Sequence, residues 1–350
     1  MKPISVIAEQ FTDSINSITS LGNGLINDTY RVVSDSSSLV LQRINQQVFP
    51  EPAQIMANLQ QLTAHISQKS LESVKLKIPA LIPTHIQQDF FVDLQGQYWR
   101  ALQFIENTQS LEFLTSLQQA QQVGFALGHF HCLVSDLKAD GLYDTLPGFH
   151  ITPSYFEHYQ AVLSRYNGQL NNFSEFCRYF IAQHEAWIPV LENAKHQGDL
   201  VLRVIHGDPK LNNFLFDASA QSILSLIDLD TVKPGLVHYD IGDCLRSACH
   251  QLGTNEFDLE ICQVILKSYL AEVKGFFSVA DYDYLFAAIQ LIPFELGMRF
   301  YTDYLEGNRY FKVTDPEQNL QRAVAQFQLS ASIARQELAI KAIINQLQLS

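Results

Sequence analysis

Two segments near the middle of the chain carry polar side chains at a spacing that can do chemistry. The first, HGDPK at 206–210, follows a short apolar run and continues to Asn213. A second apolar run at 223–227 then delivers Asp228 and Asp230. The predicted order is strand, polar loop, strand and acidic pair.

This combination suits phosphoryl transfer. Asp208 can orient a hydroxyl group, Lys210 can contact a phosphoryl oxygen, and Asn213 can ligate a hard cation. The carboxylates of the second segment add oxygen ligands for Mg²⁺. Phosphoryl transfer has a loose transition state, so it requires mainly positioning and charge neutralisation. Each piece alone is common, but H-G-D-x-x-x-x-N followed by D-x-D at this separation favours a functional site.

The elements that hold these groups differ between the two parts of the chain. The first hundred residues predict strands at 25–33, 39–44, 90–92 and 98–105 and one helix at 52–68. From residue 111 onward helical periodicity dominates, at 117–133, 155–166, 173–191 and 256–273. The sequence therefore predicts an α+β fold, with a small sheet-rich lobe at 1–106 and a larger helical lobe at 107–350. The polar run at 106–110 is the predicted joint.

Composition narrows the function classes. The chain has 36 acidic and 23 basic residues, a net charge of −13 at pH 7, and no long basic run, so nucleic acid is not an expected partner. No apolar run reaches the roughly 18 residues of a membrane helix, and no signal peptide is recognisable, which predicts a cytoplasmic protein. The five cysteines lack a C-x-x-C pair, so they are expected to be reduced.

The chain resembles the aminoglycoside and choline phosphotransferase family, a branch of the protein-kinase-like fold. The resemblance lies in GNGLINDTY (22–30), LQRIN (41–45), HGDPKLNNFLF (206–216), IDLDTVKPG (227–235) and YDIGD (239–243). It implies a bilobal fold with a small antiparallel-sheet N-lobe, a larger helical C-lobe, and ATP and Mg²⁺ as cofactors. These segments are most similar to the family members that phosphorylate the anomeric hydroxyl of N-acetylglucosamine or N-acetylgalactosamine, giving the sugar 1-phosphate.

Carried over residue by residue, the resemblance assigns the chemistry of the site. Asp208 becomes the carboxylate that accepts a hydrogen bond from the attacking hydroxyl, and Lys210 contacts the γ-phosphate. Asn213 and Asp228 become Mg²⁺ ligands, while Asp230 holds a second metal ion or its water. An aspartate with an ordinary pKa near 4 is a feeble base, so the expected role of Asp208 is mainly to orient the hydroxyl.

Several neighbouring residues are expected to be structural. His206 is predicted to pin backbone, and Asp240 and Asp243 to brace the catalytic loop. His129 and His131 lie two residues apart in a helical pattern, so their side chains point about 200° apart and cannot share a metal ion.

The nucleotide is expected to bind along the sheet-rich lobe. Gly22 and Gly24 lie between predicted strands, where glycine lets backbone amides approach a polyphosphate. A plain β-turn is the alternative for this pair. Asn27 is counted with the same set. Glu106, in the joint, belongs to a segment whose backbone would hydrogen-bond adenine.

The strand at 39–44 departs from the family pattern, because Gln42 and Arg43 stand where the family has a phosphate-binding lysine. The helix at 52–68 also lacks the internal glutamate that would pair with that lysine. If only the lysine or only the glutamate were missing, the other charge would be left unpaired. The loss of both together predicts that another residue binds the phosphate instead. Arg43 is the predicted phosphate contact, and strand alternation leaves open that Gln42 points inward instead.

The acceptor is expected to bind near a late helical pattern at 294–305. Arg299 and Asp303 fall four residues apart and can also simply pair with each other. Tyr304 can pack against a sugar face and donate its hydroxyl. Arg246, three residues after Asp243, is a further candidate. The resemblance places such a helix near the sugar pocket, which favours Arg299 and Tyr304.

Other functions remain open at this stage. The spacing does not separate an anomeric hydroxyl from the alcohol of choline, homoserine or an aminoglycoside. A nucleotide-sugar glycosyltransferase could use Asp228 and Asp230 with Mn²⁺, but it would not need His206, Asp208 and Asn213. A kinase-like binding module without activity is supported only by the missing lysine. The expected partners are ATP and a small-molecule sugar, and the sequence sets no oligomeric state.

Overall fold

The computed structural model describes residues 4–22, 26–35, 37–70, 72–169 and 171–349. Gly24, one of the two glycines predicted to cover phosphate, lies outside the described residues. The strands are β1 (Ser17–Ser20), β2 (Asp28–Val33), β3 (Ser38–Arg43), β4 (Leu81–Ile82), β5 (Phe91–Val92), β6 (Tyr98–Gln103), β7 (Thr108–Ser110), β8 (Arg203–Ile205), β9 (Phe214–Asp217), β10 (Ile223–Leu226), β11 (Lys233–Gly235), β12 (His250–Gln251) and β13 (Glu256–Phe257).

The helices are concentrated in the second part of the chain. They are α1 (Ile4–Ala8), α2 (Pro52–Ser67), α3 (Leu117–Val134), α4 (Thr152–Arg165), α5 (Asn172–Gln183), α6 (Val190–Gln197), α7 (Val237–Ala248), α8 (Leu259–Val273), α9 (Val279–Asp283), α10 (Leu285–Leu305), α11 (Gln318–Arg335) and α12 (Glu337–Gln348). None of the described helices is long and apolar enough to cross a membrane.

An antiparallel sheet forms the N-terminal part, in the order β1-β2-β3-β6-β4, with β5 also paired to β6. The strands predicted at 25–33 and 39–44 correspond to the antiparallel pair β2 and β3, in which Thr29 lies opposite Gln42. On its other side β3 pairs with β6, and this register places Gln42 opposite Arg100. Val32, Leu41, Trp99 and Ala101 are buried under the sheet in a small apolar cluster.

Helices and short strand pairs form the C-terminal part, which confirms the predicted α+β, protein-kinase-like architecture. The helix α3 crosses α8 closely, since a side chain at Gly124 would meet the backbone carbonyl of Ile265 at 2.2 Å. The helix α10 packs against α4, α7 and α11. Two strand pairs, β8 with β11 and β9 with β10, hold the loops that carry the polar motifs.

Three predicted elements differ in their bounds. The single helix predicted at 173–191 is two helices: α5 ends at Gln183, and α6 begins at Val190 with Pro189 as its N-cap residue. The pattern at 256–273 begins as strand β13, and Asp258 then caps α8 by accepting from the backbone of Ile261. The joint at 106–110 contains strand β7, which pairs with β9.

Candidate active site

The candidate catalytic loop, residues 206–213, connects β8 to β9 and ends in one 3-10 turn, Leu211–Asn213. The Lys210 ammonium donates to the Asp208 carboxylate at 2.6 Å. Asn213 Nδ2 donates to the backbone carbonyl of Asp208 at 2.7 Å. This use of the amide nitrogen leaves Asn213 Oδ1 as the free end of the amide, with no donor among the described residues.

The charges of Asp208 and Lys210 support each other. Burial would raise the pKa of Asp208, but the charge and hydrogen bond of Lys210 outweigh burial and hold that pKa below its ordinary value. Burial would likewise lower the pKa of Lys210, and the Asp208 carboxylate more than compensates, so that pKa is raised. Asp208 is therefore an ionised hydrogen-bond acceptor and a weak base.

A buried network holds the loop from behind. The Asp240 carboxylate accepts from the backbone N–H groups of His206 and Gly207, at 2.7 Å and 2.8 Å, and contacts His131 Nε2 at 2.8 Å. His206 Nε2 contacts the carbonyl of Ile227 at 3.0 Å. Burial lowers the pKa of His206, which suits a neutral ring that only holds backbone. The structural roles expected of His206 and Asp240 agree with this geometry.

The other residues expected to be structural have separate partners. Asp243 accepts from Arg246 at 2.7 Å rather than from the loop. His129 Nε2 accepts from the backbone N–H of Lys75 at 3.1 Å, whereas His131 lies between Asp240 and the Tyr269 hydroxyl. The two histidines thus face different neighbours, as their spacing predicts.

Gly207 is required by the geometry of the loop. Its φ is +90°, and a Cβ built on it would lie 2.6 Å from the backbone oxygen of Thr231. The Thr231 hydroxyl donates to the His206 carbonyl at 2.9 Å, which fixes the two segments at this distance. Any side chain at position 207 would push the loop away from the acidic segment.

Asn213 and Asp228 are neighbours across the β9–β10 hairpin. The backbone N–H of Ile227 donates to the Asn213 carbonyl at 3.0 Å. Asp228 has a left-handed backbone, with φ of 64°, and its carboxylate makes no hydrogen bond to the described residues. It opens into the cleft, where enclosure by protein and the charges of Asp230 and Asp208 raise its pKa to about 6, against the opposing effect of Lys210.

This pair fits a divalent cation. Asn213 offers an amide oxygen and Asp228 an unpaired carboxylate that is repelled by two neighbouring carboxylates. Within the described residues there is no cluster of three or more His, Cys, Asp or Glu side chains that could hold a metal ion. Mg²⁺ commonly takes only one or two protein ligands and completes its shell with phosphate oxygens and water, so two ligands suffice.

Asp230 is part of a buried bridge between the N-terminal sheet and the acidic segment. Its carboxylate accepts from the Arg100 guanidinium and, at 2.9 Å, from Asn27 Nδ2. The side chains of Arg100 and Asp230 are 1% and 2% exposed. Arg100 also donates to Gln42 Oε1 at 2.8 Å and 3.0 Å, so the Gln42 side chain points inward, toward Arg100.

Arg43 is not part of this buried bridge. It forms an ion pair with Asp28, and the two side chains are about one-third exposed. The buried cation beside the acidic segment is Arg100, which sequence reasoning missed because its relation to Gln42 depends on how β3 and β6 pair. The backbone N–H groups that Gly22 could offer lie at an exposed turn with φ of +70°.

Glu106 is exposed and pairs with Arg31 at 3.3 Å. The Arg31 guanidinium lies 4.3 Å from the centre of the Phe104 ring. The segment predicted to meet adenine is thus covered on one side by a cation. This segment lies in the chain between β6, of the N-terminal sheet, and β7, which precedes the C-terminal helices.

Arg299 projects from α10 into a cluster of aromatic rings. Its guanidinium lies 4.8 Å from the ring centre of Tyr155, and the rings of Phe149, Phe311 and Tyr310 lie within 5.8 Å. It donates no hydrogen bond to the residues that the structure describes. Burial lowers its pKa, but the neighbouring groups, including Glu295 and Asp208, raise it overall. Arg299 is therefore a charged group enclosed by aromatic rings, and the carboxylates of Glu295 and Asp208 are near enough to favour its charge.

The other predicted acceptor residues have partners of their own. Asp303 does not pair with Arg299, because it accepts from the backbone N–H groups of residues 309, 310 and 311. The Tyr304 hydroxyl donates to Glu317 at 3.0 Å. Arg246 is bound to Asp243. Of the three predicted acceptor residues, Arg299 is the one whose side chain makes no hydrogen bond at all within the described part of the chain.

Comparisons with known proteins agree with this architecture. Residues 17–272 match the model of the APH phosphotransferase enzyme family. An aminoglycoside phosphotransferase from Alicyclobacillus acidocaldarius is 15% identical, with a TM-score of 0.69 over 98% of this chain and 97% of the other. A microcompartment-associated aminopropanol kinase is 16% identical, with a TM-score of 0.63 over 97% and 98%.

A third solved structure contains ligands. It is an amicoumacin kinase in complex with AMP-PNP and Ca²⁺, 15% identical to this chain, with a TM-score of 0.62 over 95% of this chain and 94% of the other. At these identities the three structures show the fold alone, while the family match covers more than half of the chain.

Proposed function

The chain belongs to the APH phosphotransferase enzyme family, and from this premise we propose that it transfers the γ-phosphate of ATP to the anomeric hydroxyl of an N-acetylhexosamine. Residues 1–106 would form the nucleotide-binding lobe and residues 107–350 the catalytic and acceptor-binding lobe. The observation that carries phosphoryl transfer is the loop in which Asp208 and Lys210 pair at 2.6 Å beside the unpaired Asp228.

The chain's own residues orient the acceptor and the phosphate. The ionised Asp208 accepts the hydrogen bond of the acceptor hydroxyl and aligns its oxygen with the γ-phosphate, and it takes up the proton late because it is a weak base. Lys210 leaves its partner carboxylate to contact the transferring phosphoryl oxygens. Asn213 Oδ1 and Asp228 would hold Mg²⁺, which neutralises phosphate charge when bound.

On the nucleotide side, we propose that Arg100 makes the phosphate contact that was predicted for Arg43. Arg100 is anchored by Gln42 and Asp230, and its Nη1 is buried without an acceptor among the described residues. A buried donor without an acceptor is unfavourable, and a phosphate oxygen would relieve it. Asp230 in this scheme joins the sheet to the loop rather than holding a second metal ion. Gly22, Asn27 and the backbone near Glu106 complete the proposed nucleotide site.

Arg299 supports a neutral acceptor over a cationic one. Choline, aminopropanol and aminoglycosides carry positive charge, which the unpaired Arg299 guanidinium would repel. A sugar offers ring, hydroxyl and acetamide oxygens that accept hydrogen bonds from this guanidinium, and apolar ring faces that pack on Tyr155 and Phe149. Tyr304 and Arg246 stay weaker candidates for acceptor contact, since each has a protein partner.

An acceptor panel tests this function. The protein is incubated with Mg·ATP and, separately, N-acetylglucosamine, N-acetylgalactosamine, choline, homoserine and an aminoglycoside, and ³¹P NMR follows each product. The proposal expects turnover of the N-acetylhexosamines with loss of the reducing end, and far slower turnover with the Asp208→Asn variant. Faster phosphorylation of choline or the aminoglycoside would contradict it. Thermal stabilisation by Mg·ATP without turnover of any acceptor would instead indicate a binding module.

A further inference from the structure

A buried chain of hydrogen bonds joins α10 to the catalytic loop through His150. His150 Nδ1 lies 3.1 Å from Glu295 Oε1, and His150 Nε2 lies 2.8 Å from the backbone carbonyl of Gly207. The Thr152 hydroxyl donates to the other carboxylate oxygen of Glu295 at 2.6 Å. His150, Thr152 and Glu295 are at most 3% exposed. Gly207 immediately precedes Asp208, and Glu295 is one helical turn before Arg299.

The acceptors around His150 fix its protonation. A backbone carbonyl can only accept, so Nε2 must carry a proton to make its bond to Gly207. An ionised carboxylate can only accept as well, so Nδ1 carries a second proton toward Glu295. Two donors and no acceptor define an imidazolium ring. His150 and Glu295 are thus an ion pair in a site closed to water.

The surrounding charges agree with this assignment. Burial would lower the pKa of His150, but the charge and hydrogen bond of Glu295 outweigh it and raise that pKa above its ordinary value. Burial would raise the pKa of Glu295, and His150 and Arg299 hold it below its ordinary value instead. The other titratable groups facing His150 are Asp243 and Tyr239 on α7 and Tyr155 on α4.

The backbone at His150 is unusual. Its φ is +66°, a left-handed conformation that costs energy for a residue with a side chain. The Tyr239 ring stacks on the imidazole with ring centres 5.3 Å apart. A residue kept in this conformation, with both ring nitrogens bonded and one ring face covered, is held in one orientation by its surroundings.

We propose that His150, donating from both ring nitrogens, is the positioning residue that keeps the catalytic loop in register with the acceptor helix. One side of the ring fixes the carbonyl next to Asp208, and the other fixes the carboxylate one turn from Arg299. The orienting carboxylate and the acceptor-binding guanidinium are thereby set at a constant separation. This inference rests on the proposed function in that it takes Asp208 and Arg299 to act on the same acceptor.

Loss of one proton breaks this link in a defined way. A neutral ring has one donor, and the charge-assisted bond to Glu295 keeps it on Nδ1. The lone pair of Nε2 then faces the Gly207 carbonyl oxygen, which repels it. Because the folded pKa of His150 is raised, the link is complete at low pH and is lost as the pH rises through that folded value. Turnover should therefore fall on the alkaline side.

The experiment compares kcat against pH for wild type, Glu295→Gln and His238→Gln, with the best acceptor from the panel. Glu295→Gln keeps the shape but removes the charge that favours the imidazolium, so the alkaline limb should move to lower pH and kcat near neutrality should fall about tenfold to a hundredfold. His238 is a matched buried histidine whose one side-chain hydrogen bond within the described residues is to the Asp281 carbonyl, and its variant should keep the wild-type profile. Superimposable profiles for wild type and Glu295→Gln would overturn the proposal.

Two further measurements keep the test independent of folding and of the acceptor. Thr152→Val removes the hydrogen bond to Glu295 Oε2 but leaves the carboxylate charge beside His150, so the alkaline limb should move far less than with Glu295→Gln. In wild type, NMR of ¹³C-labelled histidine should show the His150 ring as an imidazolium at pH 7. A neutral ring there would refute the proposal even if no acceptor were known. An imidazolium together with an inactive acceptor panel would refute the proposed function and leave the charged ring standing.

Discussion

Removing Arg100 should destabilise the protein far more than removing Arg43. Among the described residues, Arg100→Gln leaves the 2% exposed Asp230 carboxylate with the 2.9 Å hydrogen bond from Asn27 alone. Breaking one side of a buried ion pair costs about 3–5 kcal/mol, because the remaining charge stays out of water. Gln42 Oε1 also loses its two hydrogen bonds from Arg100, which adds about 1 kcal/mol.

The Arg43–Asp28 pair provides the internal control. Its side chains are 31% and 32% exposed, so solvent screens most of the attraction between the two charges. Arg43→Gln should therefore lower the free energy of unfolding by about 0–1 kcal/mol. Urea unfolding followed by far-UV circular dichroism gives both free energies. The double variant Arg100→Gln with Asp230→Asn completes a cycle in which the coupling between the two residues should exceed about 2 kcal/mol.

Nucleotide kinetics test the assigned role of Arg100. Loss of a charged hydrogen bond to phosphate costs about 1.5–3 kcal/mol, or roughly tenfold to a hundredfold in kcat/KM for ATP. The KM of the sugar should change little. Equal stability losses for the Arg100 and Arg43 variants would show that the buried bridge is not formed. A larger loss in kcat/KM for ATP with Arg43→Gln would return the phosphate contact to Arg43.

Three further predictions concern the loop and its metal ligands. Asp208→Asn should lower kcat by roughly 10²–10⁴ while KM for ATP stays within a few-fold, and turnover near wild type would exclude the orienting role. Asp228→Ala should abolish Mg²⁺-dependent turnover with an unchanged circular dichroism spectrum, since the Asp228 carboxylate makes no hydrogen bond to the described residues. Retained activity would move the ligand role to Asp230. Gly207→Ala should lose more stability than Gly198→Ala, by at least about 1 kcal/mol in urea unfolding, because both have positive φ but only Gly207 has the Thr231 backbone in the way. Equal losses would show that the loop yields to the added side chain.

Local sequence patterns were enough to predict the loop and its hairpin. The apolar runs before 206 and at 223–227 form β8 and β10, and the polar residues between and after them lie in loops and turns, as predicted. Alternation and turn residues specify such elements within a few residues of each other, so no distant partner has to be known.

The bridge through Arg100 could not be predicted in this way. Arg100 lies 58 residues after Gln42, and only the pairing of β3 with β6 brings them together. In the sequence Arg100 is one polar residue in a strand, with no local mark of burial. A single sequence predicts that a strand exists more readily than which strand it joins.

Hydrogen bonds from side chains to backbone groups were the second feature that the sequence could not predict. The spacing of Arg299 and Asp303 allowed a salt bridge along α10, yet Asp303 accepts from three successive backbone N–H groups and leaves Arg299 free for the cleft. Every residue except proline has a backbone N–H, so the sequence pattern does not show which N–H groups Asp303 accepts from. His150 was missed for a related reason, since its left-handed backbone and its carbonyl partner leave no periodic trace.

The position of the transferred phosphate on the sugar is the most direct test of the proposed function. The protein is incubated with Mg·ATP and N-acetylglucosamine labelled with ¹³C at C1, and the product is examined by ³¹P and ¹³C NMR. We expect a phosphorus resonance split by coupling to the labelled C1, formed by wild type and formed roughly 10²–10⁴ times more slowly by Asp208→Asn. A phosphorylated sugar without that coupling, or the same product formed by the Asp208 variant at the wild-type rate, would contradict the proposed function.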